Sequence, residues 1–202
     1  FLKRLLDLAL AAMLGLVAAP LIAAASLWIR RVSPGPALYW QERQGSGGAV
    51  IRVPKLRTMH CDAERMLTAY LETSPEAREE WLRYCKLRRD PRVIPGIGRW
   101  LRRTSLDELP QLWSVLRGEM SLVGPRPFPA YHLERFEPGF RALRARVRPG
   151  LTGMWQVAAR SDGDLDVQRE LDTYYIRNWS LWLELYILMR TVGVIVSGKG
   201  AY

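Results

Sequence analysis

Residues 5–29 read LLDLALAAMLGLVAAPLIAAASLWI, with Asp7 the only charge in the run. At about 1.5 Å per residue, a helix of this length can cross a hydrocarbon layer of about 30 Å. The run has no polar stripe, which argues against a core helix of a soluble protein. It is also too long, and wrongly flanked, for a cleaved signal peptide. Pro20 lies inside it, where the ring removes a backbone hydrogen bond and crowds the preceding turn. Lys3 and Arg4 stand before the run and Arg30 and Arg31 after it, and positive flanks favour the cytoplasmic side. The pattern predicts a re-entrant helix that bends near Ala18-Ala19-Pro20 and returns to the side it entered, in preference to a straight span.

Beyond Arg31 the pattern becomes shorter and more polar. Ser33-Pro34-Gly35-Pro36 reads as a turn. Residues 37–40 and 49–53 read as short strands around Gly45-Ser46-Gly47-Gly48, a β-hairpin. Residues 62–87 are charged and helix-favouring, and Ser74-Pro75 divides them into two helices. Residues 90–98 read as loop and 109–116 as a helix stopped by Gly118; Pro125, Pro127 and Pro129 then enforce an extended path. Helices are expected at 140–147, ended by Pro149-Gly150, and from 165 through 175. The apolar stretch 181–196 holds Glu184, Arg190 and Gly193. It is too short and charged for a span, so it reads as a core or interfacial helix. The expected fold is α+β and mostly α-helical. Its parts are a re-entrant membrane helix over 1–32 and a globular domain over 33–202 with a small β-hairpin and interfacial helices.

Composition adds one constraint. Among 202 residues, 30 Lys and Arg stand against 20 Asp and Glu, a formal net charge of +10. Such a surplus points to a polyanionic partner: nucleic acid, an anionic membrane face or phosphate-bearing substrates. Nucleic acid fits least, because Trp28, Trp113 and Trp182 lie in apolar contexts instead of forming platforms for bases. Cys61 and Cys85 belong to no paired-ligand motif, so neither a disulfide scaffold nor a cysteine zinc site is expected. The isolated His60 and His132 read as surface or satisfied core residues. A chain that opens on Phe1 is compatible with a preceding region.

Candidate chemistry concentrates in Arg102-Arg103-Thr104-Ser105-Leu106-Asp107-Glu108-Leu109-Pro110. Ser105 and Glu108 have the spacing of a capping box, and Pro110 lies at the edge of what a helix start tolerates. Asp107 and Glu108 at a helix N-terminus, with two arginines upstream, suit a divalent cation and a phosphate, because a hard cation takes one or two carboxylates plus phosphate oxygens. A carboxylate can also act as nucleophile and form an acyl phosphate. In Gly124-Pro125-Arg126-Pro127 two prolines restrict one arginine, which suits forked phosphate binding. Arg148-Pro149-Gly150 repeats the theme, and Lys55 and Arg57 follow the hairpin. The phosphate-binding loop GxxxxGK[ST], the dinucleotide fingerprint and the serine-hydrolase elbow are absent.

These residues carry a family resemblance. In order come Lys3-Arg4-x-x-Asp7, then Lys55-Leu56-Arg57-Thr58-Met59, then Ser105-Leu106-Asp107-Glu108-Leu109-Pro110-Gln111. Arg117-Gly118-Glu119-Met120-Ser121-Leu122-Val123-Gly124-Pro125-Arg126-Pro127 and Val147-Arg148-Pro149-Gly150-Leu151-Thr152-Gly153 complete the set. Together they resemble the bacterial sugar transferase family, the monotopic polyprenyl-phosphate phosphoglycosyl transferases. The ending Gly198-Lys199-Gly200-Ala201-Tyr202 is similar to that of the larger exopolysaccharide- and O-antigen-initiating members. Ala19-Pro20 stands where Ser-Pro is common, and Pro54 where an aromatic is frequent.

The resemblance implies a re-entrant helix in the bacterial inner membrane with the catalytic domain on the cytoplasmic face. It implies Asp107 as a nucleophile that takes a phosphosugar from a UDP-sugar, releases UMP and passes the group to polyprenyl (undecaprenyl) phosphate. Magnesium would bind through Asp107, Glu108 would assist, and Lys55, Arg57, Arg102, Arg126 and Arg148 would contact phosphates. Glucose or galactose is the sugar typical of the larger relatives. Membrane lipids are expected partners and nucleic acid is not; the oligomeric state stays open, a homodimer included. The rival reading is a non-catalytic basic protein that binds anionic lipid at a membrane surface.

Overall fold

The computed structural model describes residues 1–85, 87–159 and 164–197. The ending at 198–202, which carries part of the resemblance, lies outside the described residues.

The apolar N-terminal run forms one helix, α1 (Leu2–Val32), which continues without interruption past Pro20. Its buried residues Asp7, Ala11, Ala18, Ala25 and Ile29 recur at intervals of four and seven residues, a single stripe along its length. Three of the five are alanines, which let the rest of the chain approach closely. The remaining surface stays open, with Met13, Leu16, Val17, Leu27 and Trp28 exposed. Only 17% of its most apolar 18-residue window is buried, far less than a core helix of this hydropathy would show.

Both ends of α1 are tied to the same body. At the N-terminal end, Asp7 accepts from Ser121 Oγ at 2.8 Å and from the Leu122 amide at 3.0 Å. Arg4 donates to the carbonyls of Val115 at 2.7 Å and Leu116 at 3.0 Å, and Lys3 meets Glu184 at 2.6 Å. Lys3 and Arg4 are therefore docking residues as well as positive flanks. Near the C-terminal end, Ala25 and Ile29 pack in a cluster with Leu56, Ile94, Ile97 and Leu101.

After α1 come β1 (Leu38–Gln44) and β2 (Val50–Leu56), an antiparallel hairpin with Tyr39 opposite Lys55 and Arg43 opposite Ile51. The hairpin was expected, but both strands run longer, so Lys55 lies within β2. Helices α2 (Ala63–Thr73) and α3 (Pro75–Tyr84) divide at Ser74 as predicted, and Ser74 accepts from the Ala77 amide at 3.2 Å. Helix α4 (Ile97–Thr104) was not anticipated and shortens the predicted loop. It buries Ile97 and Leu101.

The predicted capping box does not form. Ser105 adopts a left-handed conformation (φ 58°) that ends α4, and its side chain caps nothing. A 3-10 turn (Leu106–Gln111) carries Asp107 and Glu108 into α5 (Leu112–Arg117), which Gly118 stops at φ 84°. The tighter turn accommodates Pro110.

Then follow β3 (Ser121–Val123), α6 (Ala130–Leu133), α7 (Pro138–Ala145), β4 (Gly150–Thr152), α8 (Met154–Ala158), α9 (Leu165–Arg177) and α10 (Leu181–Ser197). Strands β3 and β4 pair in parallel, Ser121 with Gly150 and Val123 with Thr152. This pairing, absent from the sequence-based expectation, brings the two proline-glycine motifs together. A Cβ on Gly124 would fall 2.5 Å from the Arg148 carbonyl oxygen and 2.8 Å from the Gly150 amide, so the backbones can meet only as glycine.

The main core joins Ala11 and Ala18 of α1 to Val53, Leu112, Val115, Met120, Val123, Tyr175 and Ile187. A smaller aromatic core holds Phe128, Leu133, Phe136 and Phe140. His132 belongs beside it, stacked on Phe128 at 4.1 Å with Nε2 3.0 Å from Gln168 Oε1, the satisfied core histidine expected. On α10, Ile187 is fully buried while Trp182, Met189 and Val192 are 81%, 76% and 63% exposed, so this helix presents apolar surface outward as α1 does.

Candidate active site

The 3-10 turn that carries the two carboxylates sits between α1, α4, α5 and the hairpin. Three residues per turn send adjacent side chains in directions about 120° apart. Glu108 turns toward the hairpin, where Oε1 accepts from Lys55 Nζ at 2.7 Å and from Arg126 Nη2 at 2.5 Å. Asp107 is buried, 9% exposed, and among the described residues nothing donates a hydrogen bond to its carboxylate.

Their ionisation differs accordingly. Burial first, then the Glu108 charge, push the Asp107 carboxyl up to about 6, although Lys55, Arg102 and Arg126 draw it back. Burial acts on Glu108 as well, yet Arg126 and Lys55 outweigh it and hold that carboxyl far below the usual range. Burial lowers Lys55 and Arg102, whereas Glu108 raises Arg126 above the ordinary arginine value. One carboxylate is thus a permanent anion that orders two cations. Its neighbour is a poorly solvated carboxylate whose lone pairs are available.

The predicted site residues separate into two groups. Lys55, Arg102 and Arg126 all lie close enough to Asp107 to stabilise its charge. Arg102 is steadied by Thr58, Nε to Oγ1 at 3.1 Å. Arg57 is engaged elsewhere: it is buried and donates to the carbonyls of Ser33 and Pro34, the latter at 2.9 Å, so it clamps the turn after α1. Arg148 is brought near by its backbone, but its side chain is exposed and forms no ion pair or hydrogen bond among the described residues.

Three residues of this neighbourhood escaped the sequence reading. Arg144 on α7 donates to the Arg126 carbonyl and pairs with Asp172 on α9, and its guanidinium lies 4.2 Å from the centre of the Phe128 ring. The pair is buried on both sides, Asp172 to 1% exposure. It braces the backbone from which Arg126 reaches Glu108. Arg43 donates to the Pro127 carbonyl at 3.2 Å and to Gln41 Oε1. In β1 its face is shared with Tyr39 and hence with Lys55, a period-two signal hidden because the strand was read as ending at Trp40.

A magnesium ion fits these residues in one way. Glu108 is taken up by Lys55 and Arg126, so Asp107 is the carboxylate left to accept a hard cation, with phosphate oxygens completing its shell. No group of three or more His, Cys, Asp or Glu that could cage a metal occurs among the described residues.

The family described as "Bacterial sugar transferase" matches residues 1–198. The undecaprenyl-phosphate galactose phosphotransferase of Salmonella typhimurium is 41% identical over 205 residues, which cover 100% of this chain and 42% of that protein. The UDP-glucose:undecaprenyl-phosphate glucose-1-phosphate transferase of Caulobacter vibrioides is 41% identical over 208 residues, 99% of this chain and 72% of that protein. The exopolysaccharide production protein ExoY of Rhizobium meliloti is 37% identical over 200 residues, 99% of this chain and 88% of that protein. The chain spans about two fifths of the length of the first curated relatives it matches.

Proposed function

The chain belongs to the bacterial sugar transferase family, and from that premise we propose that it transfers a sugar 1-phosphate from a UDP-sugar to polyprenyl phosphate through a covalent aspartyl intermediate. The observation that carries this reading is the unlike state of two adjacent carboxylates. Asp107 is buried among Lys55, Arg102 and Arg126, accepts no hydrogen bond among the described residues, and is held up near 6. A desolvated carboxylate is a better nucleophile than a hydrated one, and the surrounding cations favour an incoming phosphate.

In the first step an Asp107 oxygen attacks the phosphorus that bears the sugar. The bond from that phosphorus to the UMP oxygen breaks, and its electron pair leaves with UMP. In the second step a polyprenyl phosphate oxygen attacks the same phosphorus, the acyl phosphate bond breaks, and the Asp107 carboxylate is restored. Lys55 and Arg126, ordered by Glu108, offset charge on the non-bridging oxygens; Arg102 does the same from the α4 side. Asp107 would hold magnesium, which would supply charge neutralisation for the phosphate oxygens.

The surface of α1 supports the membrane part of this reading. Its exposed face is apolar along its length, and its opposite face is packed on the domain from Asp7 to Ile29. A straight span would draw that whole packed body into the hydrocarbon layer. Entry and return on the cytoplasmic side of the inner membrane lets α1 contact lipid while Lys3, Arg4 and the domain stay at the headgroups. The outward apolar face of α10, with Trp182 and Tyr186, suits the same interface. This seating presents Asp107 to a lipid-borne phosphate.

The decisive experiment omits the acceptor. The membrane-reconstituted protein is incubated with magnesium and radiolabelled UDP-glucose or UDP-galactose, quenched and digested. A sugar phosphate adduct on the peptide containing Asp107, released by polyprenyl phosphate, is expected. UMP formation at the full rate in Asp107→Asn would sink the proposal.

A further inference from the structure

We propose that Arg43 and the exposed ring of Tyr131 form the subsite for the nucleoside monophosphate that leaves in the first step. The proposal rests on the reading of Asp107 as the residue that takes the reacting phosphate, and it assigns what lies beyond.

Four cations, Lys55, Arg102, Arg126 and Arg43, face two carboxylates, Asp107 and Glu108, an excess of two positive charges in a poorly solvated cluster. Arg126 and Lys55 have Glu108 as partner. Arg43 has no carboxylate partner among the described residues; its hydrogen bonds go to two neutral oxygens, Pro127 O and Gln41 Oε1. Burial and the Arg126 charge press it down to about 10. A tie between β1 and Pro127 alone would need only a neutral donor, and the Gln44 amide already makes such a tie to the Phe128 carbonyl at 3.2 Å. The charge itself therefore calls for a ligand that is an anion.

Its position says which anion. Asp107 feels Lys55, Arg102 and Arg126, whereas Arg43 feels Arg126 and Glu108. Arg43 shares the hairpin face of Lys55 and donates to the Pro127 carbonyl beside Arg126, so it extends that cation cluster along β1. A diphosphate whose sugar-bearing phosphorus meets Asp107 sets its second phosphate along that cluster. When the bond between the two phosphates breaks, the new charge appears on the second phosphate, where Arg43 can stabilise it with the guanidinium donors its two neutral partners leave free.

Tyr131 supplies the other half. It opens off the extended Pro125–Pro129 stretch that Arg43 grips at Pro127. The residue is 50% exposed, and its ring stacks on Trp81 with centroids 6.3 Å apart and planes 30° apart. Arg43 and Tyr131 are electrostatic neighbours. An exposed, backed aromatic near a cation that has no carboxylate partner is an arrangement that stacks a base while its phosphate is held.

The test uses the reconstituted full chain with UMP and ribose 5-phosphate as competitive inhibitors of the first step. Arg43→Gln should weaken both inhibitors about 10- to 100-fold, the range of one charge-assisted hydrogen bond. Tyr131→Ala should weaken UMP about tenfold and leave ribose 5-phosphate unchanged, and Tyr131→Phe should behave as the parent. Transfer of phosphosugar from the preformed adduct to polyprenyl phosphate should not change in Tyr131→Ala, since the acceptor has no base to stack, and should slow in Arg43→Gln, because the acceptor phosphate attacks in line from the place the UMP phosphate left. Unaltered UMP inhibition in Arg43→Gln overturns the proposal. So does equal slowing of both steps with a fallen melting temperature in Arg43→Gln and Arg43→Lys, the mark of a structural tie. A missing adduct in the parent instead removes the reading of Asp107, independently of either outcome.

Discussion

Glu108 accepts from Lys55 at 2.7 Å and from Arg126 at 2.5 Å, while Asp107, the preceding residue, is buried beside the same cations with no hydrogen-bond donor of its own among the described residues. The pair divides two tasks that one carboxylate could not perform together. Glu108 holds the two cations and stays ionised; the lone pairs of Asp107 meet no hydrogen-bond donor among the described residues. A single 3-10 turn makes the division possible by sending the two side chains into different surroundings.

We expect Asp107→Asn to stabilise the fold while abolishing UMP release. The folded protein holds the Asp107 proton more tightly than the unfolded chain, because burial raises the carboxyl from 3.8 to about 6. Stability from this group therefore falls as pH rises through that window. The penalty is complete above the window, at most about 3 kcal/mol, and absent below it. Asparagine imitates the protonated state, so thermal melts should place the variant above the parent near pH 8, with the gap closing near pH 4. No gap near pH 8 would contradict a penalised buried charge.

The first step needs the ionised carboxylate, so at limiting magnesium its rate should climb with pH below about 6 and flatten above it, and saturating magnesium, which would compete with the proton for Asp107, should move the limb to lower pH. Glu108→Gln should move this limb to lower pH, since it removes the like charge that helps raise Asp107 and frees Lys55 and Arg126 to face it. The plateau should fall because those cations lose their anchor. Rapid-quench measurement of the UMP burst reads both effects; a limb displaced upward would count against the assignment.

Asp172→Ala should cost about 3–5 kcal/mol, because it leaves the Arg144 guanidinium buried without its counter-charge. The paired change Arg144→Met with Asp172→Leu should recover much of that loss in denaturant unfolding. Activity should stay low in the double variant, since the donor to the Arg126 carbonyl is gone. Full activity there would show that Arg126 needs no such brace.

Topology can be read at the ends of α1. In a background with Cys61 and Cys85 replaced by serine, Leu2→Cys and Val32→Cys place labels at two exposed positions. An impermeant thiol reagent should reach both from the cytoplasmic side only. Labelling from opposite sides would rule out re-entry.

Much of the fold was legible because its signals are local. The α1 run, the break at Ser74-Pro75, the stop at Gly118, the hairpin and the apolar α10 follow from hydrophobic spacing and from where proline and glycine allow or forbid a conformation. The order of charged motifs also led to Asp107, Glu108, Lys55, Arg102 and Arg126. Misreadings arose where local and long-range forces compete. Ser105 and Glu108 have capping-box spacing, but the left-handed turn at Ser105 and the pull of Lys55 and Arg126 on Glu108 prevail.

The sequence by itself determined that this chain has a lipid-compatible helix, a surplus of basic residues and an adjacent carboxylate pair, Asp107-Glu108, just after two arginines. Tertiary structure alone decided which arginines serve that pair. Arg57 and Arg126 are the same residue type, each in a motif expected to contact phosphate, yet one clamps a turn and the other faces Glu108. A side chain's role depends on which donors neighbouring carbonyls occupy and how much water burial removes. Both are set by backbone approaches between distant segments, such as the parallel contact of β3 with β4, which no local pattern records.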